Sequence, residues 1–487
     1  MSDKKTFYIT TTLPYANAKP HIGHALEFVR ADAIARYKRQ TGHEVFFNTG
    51  TDEHGIKIYQ KAQEEGKEVM DFLDEQVETF KTLTKILNID YDKFIRTTDE
   101  DHQLAAQKFW EVCDKNGYIY KKEYTGLYCV GCEMFKTEKE LVNGECCEHP
   151  SKEIEEISEE NYFFKYSEFA TKLLDLYEIK KDFVIPHSRL NEINSFVKDG
   201  LHDFSISRLK EKMPWGVEVP GDSDHVMYVW FDALVNYIST LGWPENKENF
   251  EKFWKNGTVV QYCGKDNLLH QSARWQAMLM AAGLPVSNHV IVNGFILGEG
   301  GVKMSKTIGN VIDPVESVDG YGTDALRYYL LREVSPYEDS NFSADSFKEA
   351  YNANLANGIG NLTNRIMKMA EDHIEKLTDE DLGTNNDFSD VVGDEYLNGF
   401  EKFNLQKVSD IVWERVADID RKIQETEPFK LVKEDKEAAA KIIRELVIML
   451  YQVSVMLKPL LPDTSEKIQK AVNENKKPEE PIFARID

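Results

Sequence analysis

The chain contains two short segments whose residue types suit phosphate chemistry. The first is the tetrad His21-Ile22-Gly23-His24, which follows a β-rich run and begins a helical pattern. At such a position free backbone N–H groups and the positive end of the helix dipole face an anion, and two imidazoles can donate to phosphate oxygens. The tetrad therefore predicts a nucleotide-phosphate site. A histidine pair that only caps the helix is the alternative interpretation.

The second segment is Lys303-Met304-Ser305-Lys306-Thr307, which follows the glycine-rich Gly298-Glu299-Gly300-Gly301. Glycines supply mobility, and two lysines three residues apart supply positive charge that can close over a triphosphate and stabilise departing pyrophosphate. An exposed basic turn is the alternative. The chain has neither a P-loop nor a complete Gly-x-Gly-x-x-Gly fingerprint, so phosphate chemistry must use the histidine site.

Four cysteine and histidine residues have the spacing of a zinc site. Cys129 and Cys132 are separated by two residues, and after thirteen intervening residues Cys146 and His149 repeat that separation. This spacing is typical of a closed Cys3His zinc site, which stabilises a fold rather than catalysing a reaction. Cys147 is an alternative ligand to Cys146, although only Cys146 keeps two residues between itself and His149. Reduced structural cysteines are the other interpretation.

The elements that must position these residues alternate between β-rich and helical patterns. Strands are predicted at 6–12, 44–48, 258–263 and 289–296, and helices at 25–38 and 268–282. Strands that alternate with helices are typical of a parallel sheet with crossover helices. The long interval before residue 258 indicates that an insertion splits this α/β sheet.

Composition and periodicity change along the chain and predict five segments. The region around the cysteine cluster differs in composition from both flanks, and beyond residue 341 strand patterns give way to long helical periodicities. We predict the first half of an α/β domain, an inserted domain, the second half of the α/β domain, a region that contains the lysine segment and a C-terminal α-helical bundle. Their predicted bounds are 1–117, 118–225, 226–300, 301–345 and 346–487.

The composition excludes several classes of protein. With 487 residues, of which 41% are hydrophobic and 29% charged, the chain is too long for a peptide hormone and too apolar to be disordered. The 84 acidic residues exceed the 59 basic ones, and the net charge of −25 opposes a general grip on nucleic acid while permitting a local basic site. The sequence has neither a signal peptide nor an uninterrupted membrane-spanning segment, so we expect a cytoplasmic protein without a membrane partner.

The tetrad and the lysine segment, in this order on a split sheet, resemble the HIGH and KMSK motifs of class I aminoacyl-tRNA synthetases, whose catalytic domain is Rossmann-like. Further segments are similar to the methionyl family among these enzymes. They are Leu13-Pro14-Tyr15-Ala16-Asn17, Gly50-Thr51-Asp52-Glu53-His54-Gly55, Tyr228-Val229-Trp230-Phe231-Asp232-Ala233 and Gly264-Lys265-Asp266. The resemblance runs from about residue 6 to beyond residue 430 and implies ATP-dependent ligation of L-methionine to tRNA(Met).

The resemblance implies two chemical steps and roles for individual residues. The methionine carboxylate attacks the α-phosphate of ATP, which binds with Mg2+, and the tRNA then captures the methionyl-adenylate. The implied catalytic residues are His21, Gly23, His24, Lys303 and Lys306, and the implied ATP-binding residues are His21, His24, Glu27, Asp266 and Lys306. A helix cap is the alternative role for Asp266. Thr307 replaces the family's usual serine and preserves the hydroxyl.

The resemblance also implies a methionine pocket made of Leu13, Tyr15, Asp52, Trp230, Tyr237, His270 and Gln271. Asp52 and the main-chain carbonyl of Leu13 would hold the α-ammonium group, and the aromatic rings would enclose the side chain. The family often has a histidine on the helix after Gly-Lys-Asp. His270 and Gln271 both compete for that place, and the spacing from Asp266 to Trp275 favours Gln271. Without the resemblance, Trp230 would be assigned to the core.

The tRNA and zinc sites implied by the resemblance lie outside the catalytic segments. Asn361-Leu362-Thr363-Asn364-Arg365 resembles an anticodon-reading helix, so Asn361 and Arg365 are expected to bond base edges of the CAU anticodon. Phe429 would provide the stacking surface where the family usually has tryptophan. Trp413, on a helical face, is assigned to the core. The family's single zinc knuckle would use Cys129, Cys132, Cys146 and His149.

Two alternative functions stay open at this point. A class I synthetase for leucine, isoleucine or valine would carry a much larger editing insertion, and one for cysteine would place thiolates around a metal in the substrate pocket. A non-catalytic tRNA-binding paralogue would lose phosphate-binding residues, but His21, His24 and Lys306 are all present. The chain ends soon after the bundle, without room for an appended dimerisation domain, so we expect a monomer.

Overall fold

The computed structural model describes residues 4–129, 134–136, 141–146, 154–302, 304, 312–384 and 387–486. The chain divides into two compact units. Unit 1 comprises residues 1–19, 45–81 and 91–292, and unit 2 comprises residues 20–44, 82–90 and 293–487. The division into five segments stays a prediction.

The described residues contain seventeen strands, several of only two residues. They are β1 (Thr6–Thr11), β2 (Glu44–Thr51), β3 (Lys93–Arg96), β4 (Ile119–Cys129), β5 (Met134–Lys136), β6 (Leu141–Val142), β7 (Glu145–Cys146), β8 (Ile154–Phe164), β9 (Val184–Ile185), β10 (Phe204–Ser205), β11 (Ser207–Leu209), β12 (Glu218–Val219), β13 (Asp222–Met227), β14 (Thr258–Gly264), β15 (His289–Asn293), β16 (Ile296–Leu297) and β17 (Ser340–Asn341).

The same residues contain twenty α-helices. They are α1 (Ile22–Gln40), α2 (Ile56–Glu64), α3 (Val69–Ile86), α4 (Glu100–Lys115), α5 (Ala170–Ile179), α6 (His187–Lys198), α7 (Val229–Ala233), α8 (Asn236–Ser239), α9 (Trp275–Ala281), α10 (Pro314–Tyr321), α11 (Thr323–Tyr328), α12 (Ala344–Ala350), α13 (Asn361–His373), α14 (Asp379–Leu382), α15 (Phe388–Val392), α16 (Asp394–Glu401), α17 (Leu405–Thr426), α18 (Pro428–Leu431), α19 (Lys436–Leu457) and α20 (Pro462–Glu474). Short 3-10 turns lie at Tyr166–Phe169, Lys265–Asn267 and Glu299–Gly301, and π-helical segments at Phe250–Lys255, His270–Arg274, Tyr329–Glu333 and Tyr351–Gly360.

Unit 1 is built on a six-stranded sheet in the order β3-β2-β1-β14-β15-β9. β1 pairs in parallel with β14, β2 with β3, and β15 with β9. The prediction of a parallel α/β sheet split by an insertion is therefore confirmed. The strand order continues from β1 to one side and from β14 to the other. Their carboxyl ends thus border a topological switch point, where open α/β sheets bind ligands.

The inserted region of unit 1 forms antiparallel sheets. β4 and β8 pair over their whole length, from Ile119 opposite Phe164 to Cys129 opposite Ile154. The sheet order is β10-β8-β4-β5, and a second sheet has the order β11-β13-β12. Buried aromatic side chains from the inserted region, including Phe164 and Phe169, belong to the same core cluster as Trp254 and Trp275. The inserted region is thus packed on the parallel sheet's own core.

Unit 2 contains α1, which is anchored by two buried arginines. The Arg30 guanidinium donates to the main-chain carbonyls of Leu330, Val334, Ser335 and Pro336 at 2.8–3.2 Å. Two residues further along α1, Asp32 forms a fully buried ion pair of 2.7 Å with Arg327 of α11. These contacts fix α1, and with it the helix start that carries the histidine tetrad, within unit 2.

Long helices make up the C-terminal part of unit 2, as the periodicities predicted. Their apolar faces include Ile366, Ile419, Leu450 and Ile468 from α13, α17, α19 and α20, all fully buried. Trp413 of α17 is 8% exposed, in agreement with its assignment to the core. No helix among the described residues is both long and apolar enough to cross a membrane.

Candidate active site

Two loops of unit 1 meet at the carboxyl edge of the parallel sheet. Leu13 lies after β1 and Asp52 lies after β2. The Asp52 N–H donates to the Pro14 carbonyl at 2.9 Å, the Ala16 N–H donates to the Asp52 carbonyl at 2.9 Å, and Tyr15 forms a parallel bridge with Asp52. Only 4% of Asp52 is exposed. The structure therefore brings together three predicted methionine-binding residues, including a nearly buried carboxylate.

Two residues of the motif from Gly50 to Gly55 have structural roles. A Cβ at Gly50 would lie 1.8 Å from the Ile95 carbonyl oxygen, so only glycine permits this approach of β2 to β3. The fully buried Glu53 carboxylate accepts from Nε of Arg96 at 2.9 and 3.0 Å and from the Thr98 hydroxyl at 2.6 Å. These contacts show that Glu53 holds the loop in place and give it a structural role.

Asp232 connects the loop after β2 to helices α4 and α7. Its two carboxylate oxygens lie 2.6 Å from Nδ1 of His54 and 2.8 Å from Nε2 of His102, so both imidazoles donate to it. Burial acts to raise the pKa of Asp232, but His54 and His102 hold this pKa at about 2. Asp52 precedes His54 by two residues and Trp230 precedes Asp232 by two. The Asp232 carboxylate therefore links the segment that carries Asp52 to the segment that carries Trp230, and these two segments form the walls of the candidate pocket.

Adjacent residues of the π-helical segment, His270 and Gln271, contact different pocket residues. The His270 ring stacks on Trp230 with centroids 3.7 Å apart and an interplanar angle of 12°. Gln271 is 1% exposed, and its Nε2 donates to the Tyr237 hydroxyl at 2.5 Å. Both residues thus contact predicted pocket aromatics, one by stacking and the other by a hydrogen bond. Trp230 is half-buried and packs against the core of unit 1.

Asp266 lies at the switch point, directly after β14. It belongs to the 3-10 turn Lys265–Asn267, whose N-cap is Gly264, so Asp266 is not the cap of that turn. The Asn267 side-chain amide donates to Asp266 at 3.3 Å, and Asp266 is exposed. An exposed carboxylate at this edge suits the predicted contact with a nucleotide.

The histidine tetrad lies in unit 2 at the start of α1. His21 and His24 stack with ring centroids 3.8 Å apart. The His21 N–H donates to Nδ1 of His24 at 3.1 Å, and the Gly23 N–H donates to Nδ1 of His21 at 3.1 Å. The two histidines therefore cap α1, and their contact with phosphate stays a prediction. Because a nitrogen that accepts carries no proton, each neutral ring holds its proton on Nε2 and remains a donor there.

The environment of His24 keeps its ring neutral. Burial, followed by the neighbouring charge of His21, lowers the pKa of His24 well below the usual 6.5. Glu27, the other predicted ATP-binding residue of α1, is half-buried one turn further along the helix. Lys303, Lys306 and Thr307 lie outside the described residues.

Two of the four predicted zinc ligands are described. Cys129 ends β4 and Cys146 ends β7, and both thiols are buried and form no disulfide. Cys132, Cys147 and His149 lie outside the described residues. Over the part of the chain that is described, no three histidine, cysteine or acidic side chains come together as a metal site.

The predicted anticodon residues lie on the helical part of unit 2. Asn361 and Arg365 of α13 line a cavity of about 700 Å3 together with Trp413 and Asp420 of α17. Arg365 is held by Asp420 at 2.8 Å and also lines a second, more apolar cavity that includes Phe429. Phe429 is 45% exposed, as expected of a residue that stacks on a base.

Comparisons with known proteins agree on one family. The family described as tRNA synthetases class I (M) matches residues 7–158 and 151–367, and the anticodon binding domain of methionyl tRNA ligase matches residues 391–482. A methionine–tRNA ligase of Caldanaerobacter subterraneus subsp. tengcongensis is 41% identical over 479 residues, covering 96% of this chain and 73% of the relative. The chain belongs to the methionine–tRNA ligase family.

Other members of the methionine–tRNA ligase family extend this result. The methionine–tRNA ligase of Clostridium tetani is 42% identical over 487 residues, covering 97% of this chain and 74% of the relative. The structure of Mycobacterium tuberculosis methionyl-tRNA synthetase in complex with methionyl-adenylate matches with a TM-score of 0.87 and 35% identity, covering 96% of this chain and 93% of that one. The α/β fold with a helical C-terminal region is therefore the fold of a class I synthetase.

The structure adds residues that the sequence motifs did not single out. His102 of α4 shares the Asp232 carboxylate with His54, and Gln261 of β14 donates to Gln271 at 2.8 Å. Neither residue lies in a segment that carried the resemblance to methionine–tRNA ligases. For Gln261 the sequence carries one signal, a polar side chain inside the apolar pattern Val259-Val260-Gln261-Tyr262, whereas His102 stands in a polar run.

We expect His24→Asn to lower the rate of ATP–pyrophosphate exchange by about 100-fold while leaving the melting temperature almost unchanged. The asparagine oxygen can replace Nδ1 as the acceptor for the His21 N–H, but the asparagine NH2 group does not reach the position of Nε2–H. His24→Gln, whose amide nitrogen reaches further, is the matched control and should keep more of the rate. Equal rates in the two variants would contradict a role for the Nε2–H group.

Proposed function

We propose that this chain joins L-methionine to tRNA(Met) with ATP, using the carboxyl edge of β1, β2 and β14 for methionine. The observation that carries this assignment is the nearly buried Asp52 carboxylate, bridged to Tyr15 at the carboxyl edge of the parallel sheet. Ligand sites in proteins combine an apolar pocket with a few precisely oriented polar groups. Membership of the methionine–tRNA ligase family supports the same substrate.

Asp52 suits the α-ammonium group of methionine. A carboxylate removed from water forms strong charge-assisted hydrogen bonds with a bound cation. The Leu13 carbonyl, one residue before the Pro14 that bonds Asp52, provides an uncharged acceptor. Tyr15, Trp230 and Tyr237 offer aromatic surface to the thioether, since sulfur makes favourable contacts with aromatic rings. The His270 stack holds the Trp230 ring in one orientation.

The first chemical step is attack of a methionine carboxylate oxygen on the α-phosphorus of ATP. The bond between the α-phosphorus and the bridging oxygen breaks, and pyrophosphate leaves with the electron pair. His21 and His24 would donate from Nε2 to phosphate oxygens, while Lys303 and Lys306 would stabilise the charge of the departing pyrophosphate. Glu27 and Asp266 would contact the nucleotide. Mg2+ bound with ATP supplies further neutralisation of phosphate charge.

In the second step, a ribose hydroxyl of the terminal adenosine of the tRNA attacks the carbonyl carbon of methionyl-adenylate. The ester bond to methionine forms as the bond to AMP breaks, and the hydroxyl proton passes to the phosphate of the departing AMP or to water. No covalent enzyme intermediate is required, so positioning and charge stabilisation carry the rate. ATP, methionine and tRNA are all available in the cytoplasm, where we propose that the protein acts.

ATP–pyrophosphate exchange with each of the twenty amino acids tests the proposed activity. We expect exchange with methionine alone, because the reaction reports adenylate formation without requiring the tRNA. Exchange with another amino acid would assign the chain to a different class I synthetase. No exchange with any amino acid would instead indicate a non-catalytic tRNA-binding protein.

We also propose that the surface formed by Asn361, Arg365 and Phe429 reads the anticodon. Unstacked loop bases need an aromatic platform and polar groups for their edges, and these three side chains offer both. Arg365 is 39% exposed in its pair with Asp420, so it can exchange this partner for a base at modest cost. The lysines Lys368 and Lys477, which line the Phe429 cavity, would attract the RNA backbone.

Arg365→Gln and Phe429→Ala should each lower kcat/KM for tRNA(Met) by tenfold or more, while exchange with methionine stays within about twofold of the wild type. Both changes remove contacts to the anticodon loop and leave the methionine pocket untouched. Arg421→Gln is the matched control, since Arg421 pairs with Asp418 on the same helix, α17, but lines neither cavity. An equal loss in the control variant would contradict the assignment.

Cys129, Cys132, Cys146 and His149 are proposed to bind one structural zinc ion. The buried Cys129 and Cys146 thiols have the soft donor chemistry that zinc prefers, and their spacing in the sequence matches a Cys3His site. A structural zinc ion of this kind would stabilise the inserted region and take no part in either chemical step.

Elemental analysis of protein purified without chelators should give close to one zinc ion per chain. Cys146→Ser should lose most of this zinc, because a hydroxyl is a poor replacement for a thiolate. Cys147→Ser differs by one position and should retain the metal. Zinc absent from the wild type would overturn the site, and loss in Cys147→Ser alone would make Cys147 the ligand.

A further inference from the structure

Trp215, in the loop between β11 and β12 of the inserted region, contacts the three residues that follow Asp52. Its indole Nε1–H donates to the main-chain carbonyl of Glu53 at 2.7 Å, and its main-chain carbonyl accepts from the Gly55 N–H at 3.3 Å. Between these two bonds, the His54 ring lies against the indole with centroids 6.0 Å apart. One residue of the inserted region therefore meets the whole segment 53–55.

The two hydrogen bonds can form with one polarity only. An indole N–H and a main-chain N–H can only donate, and a main-chain carbonyl can only accept. Gly55 has a φ of 112°, in the region that favours glycine, at the point where its N–H meets the Trp215 carbonyl. The contact thus depends on the residue types at both positions.

Trp215 restrains a different part of Glu53 from the part that Arg96 restrains. The Glu53 carboxylate is bound by Arg96 and Thr98, whereas the Glu53 main-chain carbonyl accepts from the indole. The first set of bonds fixes the side chain, and the bond from Trp215 fixes the main chain one residue after Asp52. The direction of the main chain at Glu53 affects where the Asp52 side chain points.

Asp52 is also held by the loop after β1. Its N–H donates to the Pro14 carbonyl and its own carbonyl accepts from the Ala16 N–H, both at 2.9 Å. Trp215, which is half-buried, packs on the apolar cluster that contains Ala16, and Tyr15 packs on the same cluster. The loop after β1 and the loop that carries Trp215 therefore both restrain the Asp52 segment.

We infer that Trp215 is a positioning residue that holds the Asp52 carboxylate in the orientation that binds the α-ammonium group of the substrate. The inference rests on the proposed role of Asp52 and deepens it. Charge-assisted hydrogen bonds depend on direction and distance, and a binding group keeps both only if the residues around it hold it in place. Through Trp215 the inserted region takes part in amino-acid binding.

Trp215→Phe removes the Nε1–H donor and keeps an aromatic ring. The KM for methionine in ATP–pyrophosphate exchange should rise about threefold to tenfold, as expected for one lost hydrogen bond, while the KM for ATP stays within about twofold. Trp254→Phe is the matched control, because the Trp254 indole donates to the Pro285 carbonyl at 2.9 Å, outside the segment 53–55. This control should lower the melting temperature without changing the KM for methionine. The same rise in both variants would overturn the inference.

Two inhibitors of the exchange reaction separate positioning of the carboxylate from a general distortion of the pocket. L-Methioninol carries the ammonium group and the thioether side chain, whereas its deamino analogue carries only the side chain and the hydroxyl. In Trp215→Phe the inhibition constant of methioninol should rise about threefold to tenfold, and that of the deamino analogue should stay within about twofold. A purely structural role would raise both constants by the same factor and would contradict the inference.

Replacement of Trp215 by benzothienylalanine tests the same hydrogen bond if Trp215→Phe does not fold. Sulfur takes the place of Nε1–H in a ring of nearly the same shape, so the packing is kept and the donor is lost. The two inhibition constants should change as they do in Trp215→Phe, and an unchanged constant for methioninol would overturn the inference. Wild-type protein that fails to activate methionine would instead overturn the proposed function itself.

Discussion

A buried carboxylate, Asp232, connects the parts of unit 1 on which the proposed methionine pocket depends. It accepts from His54 on the loop after β2 and from His102 on α4, and it lies on α7 itself. Without these donors, burial would favour a neutral carboxyl, and the loop that carries Asp52 would lose its link to the helix that carries Trp230. One ionised side chain thus sets the distance between the groups proposed to bind the two ends of methionine.

In unit 2, buried charged side chains hold the helix that carries the histidine tetrad in position. A helix start can bind an anion only if the helix is held in place, and Arg30 and Asp32 provide this within the first three turns of α1. The Asp32–Arg327 pair is fully buried, so the geometry of its two groups matters more than in a surface ion pair, and losing Asp32 would leave the Arg327 guanidinium in the core without this carboxylate. The buried charges therefore hold the position of α1 rather than adding a large net stability.

Main-chain groups orient polar side chains in both units. Main-chain N–H groups fix the proton of His21 and His24 on Nε2, and main-chain groups of Ser287 and Gln271 fix the orientation of the buried Gln276 amide in α9. Main-chain groups have one possible polarity, so they remove the ambiguity that imidazole and amide side chains otherwise have. Donors oriented before the substrate arrives need no reorganisation during the reaction.

Much of the fold followed from the sequence because the relevant signals are local. The parallel sheet, the insertion and the helical C-terminal part were predicted from strand and helix patterns, with strand ends displaced by at most three residues. The tetrad and the later lysine segment indicated a class I synthetase, and the segments around them indicated the methionyl family. Two-residue strands such as β9 carry too short a pattern to be predicted in this way.

The sequence alone determined which chemical groups the protein carries and in which order, because motif spacing and periodicity involve neighbours in the chain. Only the tertiary structure decided their partners. His102 reaches Asp232 across 130 residues, and His270 and Gln271, adjacent in sequence, contact different aromatic residues. The polarity of a buried hydrogen bond depends on distant segments that pack together, and no local pattern encodes which segments these are.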